Sequence, residues 1–291
     1  MSHDPRVLLR RYGLRPRRSL GQNFLVDPTA PDRIAEAAAL RGDETVLEVG
    51  AGLGTLTRAL AERAAQVIAV ETDPHLLPVL EAETADFPNV RLVHGDILTL
   101  EVPRLLGVEP PPRDGRGWPP LREGYVVVAN LPYYITAAVL RHMLESAPRP
   151  ERLVVTVQRE VAQRIVAAPG RMNLLAVSVQ FYGRPQVVMR LKRGAFYPPP
   201  AVESAVVRIE SYAEPPVEVP DVALFFRLVR AGFAQKRKQL RNALAAGLGW
   251  PPQRVAELLQ QAEVPPSWRA ERLDLEAWGR IARRFAAEGG L

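Results

Sequence analysis

Residues 45–54 read Thr-Val-Leu-Glu-Val-Gly-Ala-Gly-Leu-Gly, a short apolar run that ends in three glycines at alternate positions. The run has the length and β-branched content of a strand buried on both faces. Residues 55–64 then return to helical periodicity. Strand, glycine turn and helix in that order open an α/β unit, and the alternation continues outward. Residues 31–40 read as a helix with Ile34, Ala37 and Ala38 on one side, and 66–70 as a second apolar strand. Residues 73–82 read as a helix made irregular by Pro78. Strands are predicted at 90–94 and 125–129, with further candidates at 153–158, 176–181 and 205–210. Such alternation predicts an α/β fold with a mostly parallel sheet covered on both faces. Residues 103–124 hold six prolines and four glycines and read as a long surface loop.

Past residue 210 the pattern changes. Glu214-Pro215-Pro216-Val217-Glu218-Val219-Pro220 reads as a linker, and everything beyond it as helix. A boundary near residue 213 thus divides the chain into an α/β domain, 1–213, with a basic N-terminal segment, and a helical domain, 214–291.

Composition excludes several kinds of chemistry. The 291 residues include no cysteine, which removes disulfide scaffolds, thiolate metal sites and cysteine nucleophiles. His3, His75, His94 and His142 lack metal-ligand spacing, so no metal is expected. No run reaches the ~18–20 apolar residues of a membrane span, and the first residues lack the apolar stretch of a signal peptide. A cytoplasmic protein is expected. The 38 Lys+Arg exceed the 32 Asp+Glu to give a net charge of +6, which suits a polyanionic partner.

The glycine turn narrows the ligand. Glycines let the backbone approach a small molecule, and the following helix offers free N–H groups. A dinucleotide fingerprint would want glycine or alanine where Thr55 stands, and a Walker A loop would end in Gly-Lys-Ser/Thr, which is absent. Glu48, two residues before Gly50, suits a positively charged ligand better than a pyrophosphate. S-adenosylmethionine, with its sulfonium and ammonium, is the common cofactor of that kind. Glu71 follows Gly50 by 21 residues, the spacing at which an acid in a doubly wound sheet reaches ribose hydroxyls. Asp96, after the third strand, lies at the next position along the same edge and could accept from an adenine amino group.

Asn130-Leu131-Pro132-Tyr133 follows the fourth strand and is the most specific signal. It resembles the Asn-Pro-Pro-Tyr type motif of amino-directed methyltransferases. An exocyclic base amine is a poor nucleophile because its lone pair is delocalised into the ring. Two acceptors, the Asn130 side-chain oxygen and the Leu131 carbonyl, can hold its hydrogens and favour a more tetrahedral nitrogen. Pro132 fixes the turn, and Tyr133 supplies a face for stacking. Phe196, in the Pro-rich segment Phe196-Tyr197-Pro198-Pro199-Pro200-Ala201-Val202-Glu203-Ser204, is expected as a second jaw of the base sandwich.

Taken in order, Gln22-Asn23-Phe24-Leu25, Glu48 to Gly54, Glu71, Gly95-Asp96, Asn130 to Tyr133 and Phe196-x-Pro198-x-Pro200-x-Val202 resemble the ribosomal RNA adenine dimethyltransferases. Gln158-Arg159-Glu160-Val161-Ala162 and Phe233-Ala-Gln-Lys236-Arg237-Lys238 extend the likeness, which runs from about residue 15 to 285 and favours the small-subunit (16S rRNA, dimethyladenosine transferase) branch. The resemblance implies a Rossmann-like class I methyltransferase with a seven-stranded sheet and a small helical C-terminal domain. It implies S-adenosylmethionine contacts from the backbone of Asn23 and Leu25 and from Gly50, Glu71, Asp96 and Asn130; Gln22, with Glu48, Gly52 and Gly54 of the glycine turn, completes the expected cofactor-binding set. Its implied partner is 16S rRNA in a partly assembled small ribosomal subunit, bound by a monomer. Two departures stand out: a longer loop at 103–124, and Tyr134 where the family often has Asn.

Basic residues provide a separate line of argument. On one continuous helix, Arg227, Arg230, Arg237, Lys238 and Arg241 would share a sector about 100° wide beside an apolar sector of Phe226, Val229, Phe233, Leu240 and Leu244. Lys236 would fall on the apolar side. Arg230, Arg237, Lys238 and Arg241, with Arg17 and Arg18 as a second patch, are the candidate phosphate contacts. The rival readings are a large-subunit adenine N6-methyltransferase and a mainly non-catalytic ribosome-assembly or RNA-binding factor.

Overall fold

A computed structural model of the chain describes residues 3–109 and 120–289. In chain order its helices are α1 (Pro5–Arg11), α2 (Ala30–Ala37), α3 (Thr55–Ala61), α4 (Leu77–Thr84), α5 (Val102–Leu105), α6 (Thr136–Glu145), α7 (Arg159–Ile165), α8 (Leu174–Gln180), α9 (Val222–Phe233), α10 (Leu240–Leu248), α11 (Pro252–Gln261) and α12 (Leu275–Ala287). The strands are β1 (Phe24–Leu25), β2 (Thr45–Val49), β3 (Gln66–Glu71), β4 (Val90–His94), β5 (Leu121–Asn130), β6 (Arg149–Gln158), β7 (Gly183–Leu191), β8 (Phe196–Tyr197) and β9 (Ser204–Ser211).

Seven strands form one sheet in the order β4-β3-β2-β5-β6-β9-β7. The first five are parallel, and β9 runs antiparallel to β6. This is the expected mostly parallel, Rossmann-like sheet. Its centre is dry because β2 and β5 are apolar on both faces: Val46, Leu47, Val126, Val127 and Val128 are all fully buried. Each such side chain stabilises the fold by about 1.5–3 kcal/mol relative to exposure. The chain leaves β2 toward β3 on one side, and β5 lies on the other. A topological switch point therefore falls at the carboxyl ends of β2 and β5, where open α/β sheets collect ligands.

Several elements differ from the sequence reading. Residues 176–180 belong to α8, with Phe181 as its C-cap, instead of forming a strand, because the Asn173 side chain accepts from Ala176 N and caps a helix start. The remaining strand is β7, which pattern reading passes over because Pro185 and exposed Arg184, Gln186 and Arg190 interrupt its apolar content. As the last strand of the sheet it tolerates proline. The helix expected at 73–82 begins instead at Leu77, with Pro78 in its first turn, where a missing N–H costs nothing. The loop expected at 103–124 is shorter: Val102–Leu105 is helical and Leu121 already belongs to β5, while residues 110–119 lie outside the described residues.

The chain divides into two compact units. The first holds the sheet and the chain through Ala162, then Arg184–Ser211. The second takes residues from Tyr212 onward but also Gln163–Gly183, so it is larger than the 214–291 expected. The reason is aromatic: Phe181 stacks on Phe225 at 4.5 Å and meets Phe226 edge-on at 5.2 Å, which draws the chain after α8 into the helical core. Within this unit Gly232 lets α9 close on α12, and Gly279 lets the segment at Val217 close on α12, since a Cβ would come within 2.3 Å of Trp278 Cη2 and Val217 Cγ2 respectively.

The single basic helix expected through residue 244 does not form. α9 ends at Phe233 and α10 starts at Leu240, and residues 234–239 make an exposed turn. Gln235-Lys236-Arg237-Lys238-Gln239 has no apolar side chain to bury, so the helix stops where its core-facing residues end. This also accounts for Lys236, which stands in the turn, not on an apolar face.

Candidate active site

At the switch point the parallel register sets three chain segments at one height. Glu48 pairs with Ala69 and Val128, and Val49 with Val70 and Ala129, so Gly50 follows beside Glu71 and Asn130. Gly50 N and Ala51 N both donate to Val70 O, at 2.9 and 3.1 Å, which pulls the glycine turn down onto β3. Gly50, Gly52 and Gly54 all have positive φ, a conformation that side chains disfavour. A cleft opens there, lined by residues 20–25, by Glu48 to Leu53, and by Glu71, Asp96 and Asn130 to Tyr133.

Glu71 organises the cleft floor. Its Oε2 accepts from Gly52 N at 2.8 Å and its Oε1 from Asp73 N at 2.8 Å. Both bonds tie the carboxylate to backbone, and each oxygen keeps a lone pair for a ligand diol. Burial raises its pKa while these backbone donors oppose the rise. Asp96 is exposed at the end of β4; its Oδ1 accepts from Leu98 N at 3.0 Å, which leaves Oδ2 for a ligand amine.

The N-terminal segment closes one side. Phe24 and Leu25 form β1 and pair antiparallel with Tyr197 and Phe196 of β8. Gly52 permits this, because a Cβ there would sit 3.3 Å from the Phe24 ring. Gln22 acts as a clasp: its Oε1 accepts from Arg17 N and its Nε2 donates to Asp73 Oδ2, both at 2.8 Å. Arg17 adds an ion pair to Asp73 at 3.2 Å. Each end of the Gln22 amide is thus bonded to a protein group, so the side chain holds the segment in place at the cleft wall.

Asn130 ends β5. Its Nδ2 donates to Asn23 O at 3.2 Å, so the amide is oriented and Oδ1 has no protein donor among the described residues. The Leu131 carbonyl likewise meets none there. The Tyr133 hydroxyl lies 2.6 Å from Ser204 Oγ at the start of β9, a bond that fixes the ring across 71 positions of sequence. Burial, partly offset by that bond, raises the Tyr133 pKa. Sequence reading misses Ser204 and Asp73 because nothing local marks a contact made so far along the chain.

Two expected site residues lie elsewhere. Gly54 is not in the cleft lining; a Cβ there would come within 3.1 Å of Leu80 Cδ1, so it serves the packing of α3 against α4. Phe196 is 3% exposed and belongs to the apolar core with Leu25, Ile34 and Ala195. Its neighbour Tyr197 takes the exposed position of β8, because strand alternation turns one of the pair inward. In this structure the Phe196 ring packs into the wall that carries Leu25. Tyr134 is 65% exposed and packs beside Gly21. Among the basic candidates Arg18 is exposed in the first unit; Arg230, Arg237 and Lys238 are exposed and Arg241 half-buried in the second.

Glu48 supplies the charge logic. It is 1% exposed, its Oε2 has no hydrogen-bond partner among the described residues, and burial, with the Glu71 charge beside it and against the opposing effect of the Thr57 hydroxyl, pushes its pKa up to about 8. A buried carboxylate with one oxygen unpaired, next to the glycine turn, fits a cationic ligand, which would return it to the ionised form. Because its folded pKa is raised above the usual carboxylate range, its contribution to stability is fully present at acid pH and is lost as pH rises toward 8. A Glu48→Gln variant should therefore gain melting temperature relative to the parent as pH goes from 5 to 9 in ligand-free protein. Its affinity for a cationic ligand should fall about tenfold or more. Thermal unfolding against pH and titration calorimetry check the two halves; a constant offset with unchanged affinity contradicts the assignment.

No group of histidine, cysteine or carboxylate side chains suited to a metal occurs among the described residues. None of the described helices is long and apolar enough to cross a membrane.

Comparison with known proteins bears on the whole chain. The family model described as ribosomal RNA adenine dimethylase matches residues 13–287. A relative from Dehalococcoides mccartyi (strain CBDB1) named ribosomal RNA small subunit methyltransferase A is 46% identical over 275 residues, covering 94% of this chain and 90% of the relative. One of the same name from Pelotomaculum thermopropionicum is 42% identical over 288 residues, covering 98% and 96%. Among solved structures, 23S rRNA methyltransferase ErmE superposes with a TM-score of 0.67 at 32% identity, over 91% of this chain and 100% of that one. A dimethyladenosine transferase from Plasmodium falciparum shares the fold, with a TM-score of 0.74 at 22% identity over 91% and 98%.

Proposed function

Because the chain belongs to the ribosomal RNA adenine dimethylase family, we propose that it is an S-adenosylmethionine-dependent methyltransferase of small-subunit rRNA. It transfers methyl groups to the N6 amino groups of two adjacent adenines in 16S rRNA to give dimethyladenosine, and takes part in small-subunit biogenesis. The observation that carries the chemistry is Asn130, whose Nδ2 is held by the Asn23 carbonyl so that Oδ1 stands as an acceptor beside the Leu131 carbonyl. The large-subunit alternative shares this site, but the relatives at 42–46% identity carry the small-subunit name.

The residues divide the work. Glu71 holds the ribose hydroxyls of the cofactor, Asp96 its adenine amine, the glycine turn and the backbone of Asn23 and Leu25 its length, and Glu48 balances its positive charge. When bound, S-adenosylmethionine supplies an electrophilic methyl on a sulfonium. The target adenine stacks on Tyr133, whose ring Ser204 fixes. Asn130 Oδ1 and Leu131 O accept from its two amino hydrogens and draw the lone pair out of conjugation. No charged base is required, since the N–H becomes acidic only as the nitrogen gains positive charge, and the proton then leaves through the same acceptors to water. Rate comes chiefly from positioning. After one transfer a single N–H remains, so one acceptor loses its donor and the pocket admits a methyl in its place.

Cations at the 234–239 turn contact phosphates and so position the RNA without reading its sequence. The substrate is a partly assembled small subunit, bound by a monomer in the cytoplasm. An Arg237→Glu/Arg241→Glu variant should lose RNA affinity and shed about 1.4–1.8 from the slope of log K against log salt. Its cofactor affinity should be unchanged; equal loss of both places these residues in the fold, not at the RNA. The reading as a whole is tested by labelled methyl transfer to unmethylated small subunits, large subunits and free RNA in parallel. Label recovered as dimethyladenosine from small subunits is expected, whereas label in large subunits moves the assignment to the other branch. No transfer with cofactor binding intact favours an assembly factor.

A further inference from the structure

The sequence Gln158-Arg159-Glu160 has no part in the site described so far, yet the fold brings it beside Tyr133. At the carboxyl end of β6, Gln158 pairs with Ser204 of β9, and opposed Cα atoms in such a ladder lie about 5 Å apart. Ser204 is the residue whose Oγ holds the Tyr133 hydroxyl. A surface groove opens here, lined by Gln158, Arg159, Glu160, Val202 and Glu203.

Its chemistry suits a base edge and not a backbone phosphate. Arg159 is bound across the groove to Glu203, Nη1 to Oε2 at 2.6 Å, and its backbone N donates to Glu203 O at 2.9 Å. That leaves one cation against the two carboxylates of Glu160 and Glu203, a balance that repels phosphate. The Gln158 side-chain amide has no hydrogen-bond partner among the described residues. Val202 is 44% exposed, an apolar face at the edge of the groove. An amide that can pair with adenine N6 and N7, a carboxylate that can accept from an amino group, and an apolar face together match an amino-bearing purine.

Building on the function given above, we propose that this groove receives the base of the nucleotide next to the target, the second of the two adjacent adenines, while the first is stacked on Tyr133. The groove accepts the neighbour through its amino hydrogens. The RNA strand crosses the site in one direction, so the groove always takes the neighbour on the same side of the target. A neighbour there that already carries two N6 methyls offers none and is refused, so the adenine whose groove-side neighbour is the other adenine is dimethylated first.

The test uses full-length protein, S-adenosylmethionine and unmethylated small subunits, with nuclease fragments resolved by mass spectrometry. In the parent enzyme, fragments carrying one dimethyladenosine should place it at one fixed position of the pair. Gln158→Ala should yield both positional isomers in comparable amounts and slow dimethylation about tenfold, with cofactor affinity and melting temperature unchanged. Glu203→Gln, which keeps the shape and removes the charge, should move the isomer ratio the same way. Both isomers from the parent, or an isomer ratio that neither variant changes, overturns the groove. A parent enzyme that transfers no methyl to small subunits overturns the functional reading itself, and is seen before any variant is made.

Discussion

Replacing Asn130 with alanine should lower the rate of methyl transfer by about 10²–10³-fold, the cost typical of removing one preorganised hydrogen-bonding group from a reacting centre. Cofactor affinity should stay within about threefold of the parent. The split follows from the proposed function: the amide nitrogen is bonded to the Asn23 carbonyl, and the free oxygen is the group assigned to accept from the amine of the target base. Losing that oxygen removes an interaction that strengthens as the nitrogen becomes tetrahedral, and so affects kcat more than ground-state binding. Single-turnover kinetics with saturating cofactor, beside calorimetric titration of S-adenosylmethionine, measures both halves.

Glu71→Ala should have the opposite signature. Its two oxygens tether Gly52 N and Asp73 N, so removing them frees the glycine turn as well as the ribose contacts. Two charge-assisted hydrogen bonds at about 1.5–3 kcal/mol each correspond to a loss of about 10²-fold or more in cofactor affinity. Melting temperature should also fall, since Gly52 N then lies buried without its acceptor. The conservative Glu71→Gln keeps one acceptor oxygen and should recover part of the affinity. An alanine variant that binds the cofactor normally and fails only in turnover would remove Glu71 from the cofactor half of the cleft.

The parts of this molecule that could be read from sequence are those in which function compresses into neighbouring residues. Glu48 to Gly54 announces strand, turn and helix start together, because the positive φ at Gly50, Gly52 and Gly54 demands glycine. Asn130 to Tyr133 is equally local. Parallel strands buried on both faces show as apolar runs, and β2, β3 and β5 were legible for that reason. β7 was not, because an edge strand is half solvent-facing and carries Pro185 and Arg190 where a buried strand would carry valine. The apolar run at 176–181 fits either structure, and only the Asn173 cap selects the helix. Side-chain direction was the least legible: Phe196 and Tyr197 look interchangeable in sequence, and pairing with β1 decides which turns inward. Contacts that span the chain, such as Gln22 on Asp73 or Tyr133 on Ser204, leave no local trace at all.

The central claim is that one cleft has two halves, a cofactor floor built on Glu71 and a base-holding lip built on Asn130. Measuring S-adenosylmethionine affinity and single-turnover rate on unmethylated small subunits for Asn130→Ala and Glu71→Ala side by side tests it most directly. A crossover is expected: Asn130→Ala keeps affinity and loses rate, while Glu71→Ala loses affinity and recovers much of its rate when the cofactor is raised to saturation. Parallel losses of affinity and rate in both variants would contradict it.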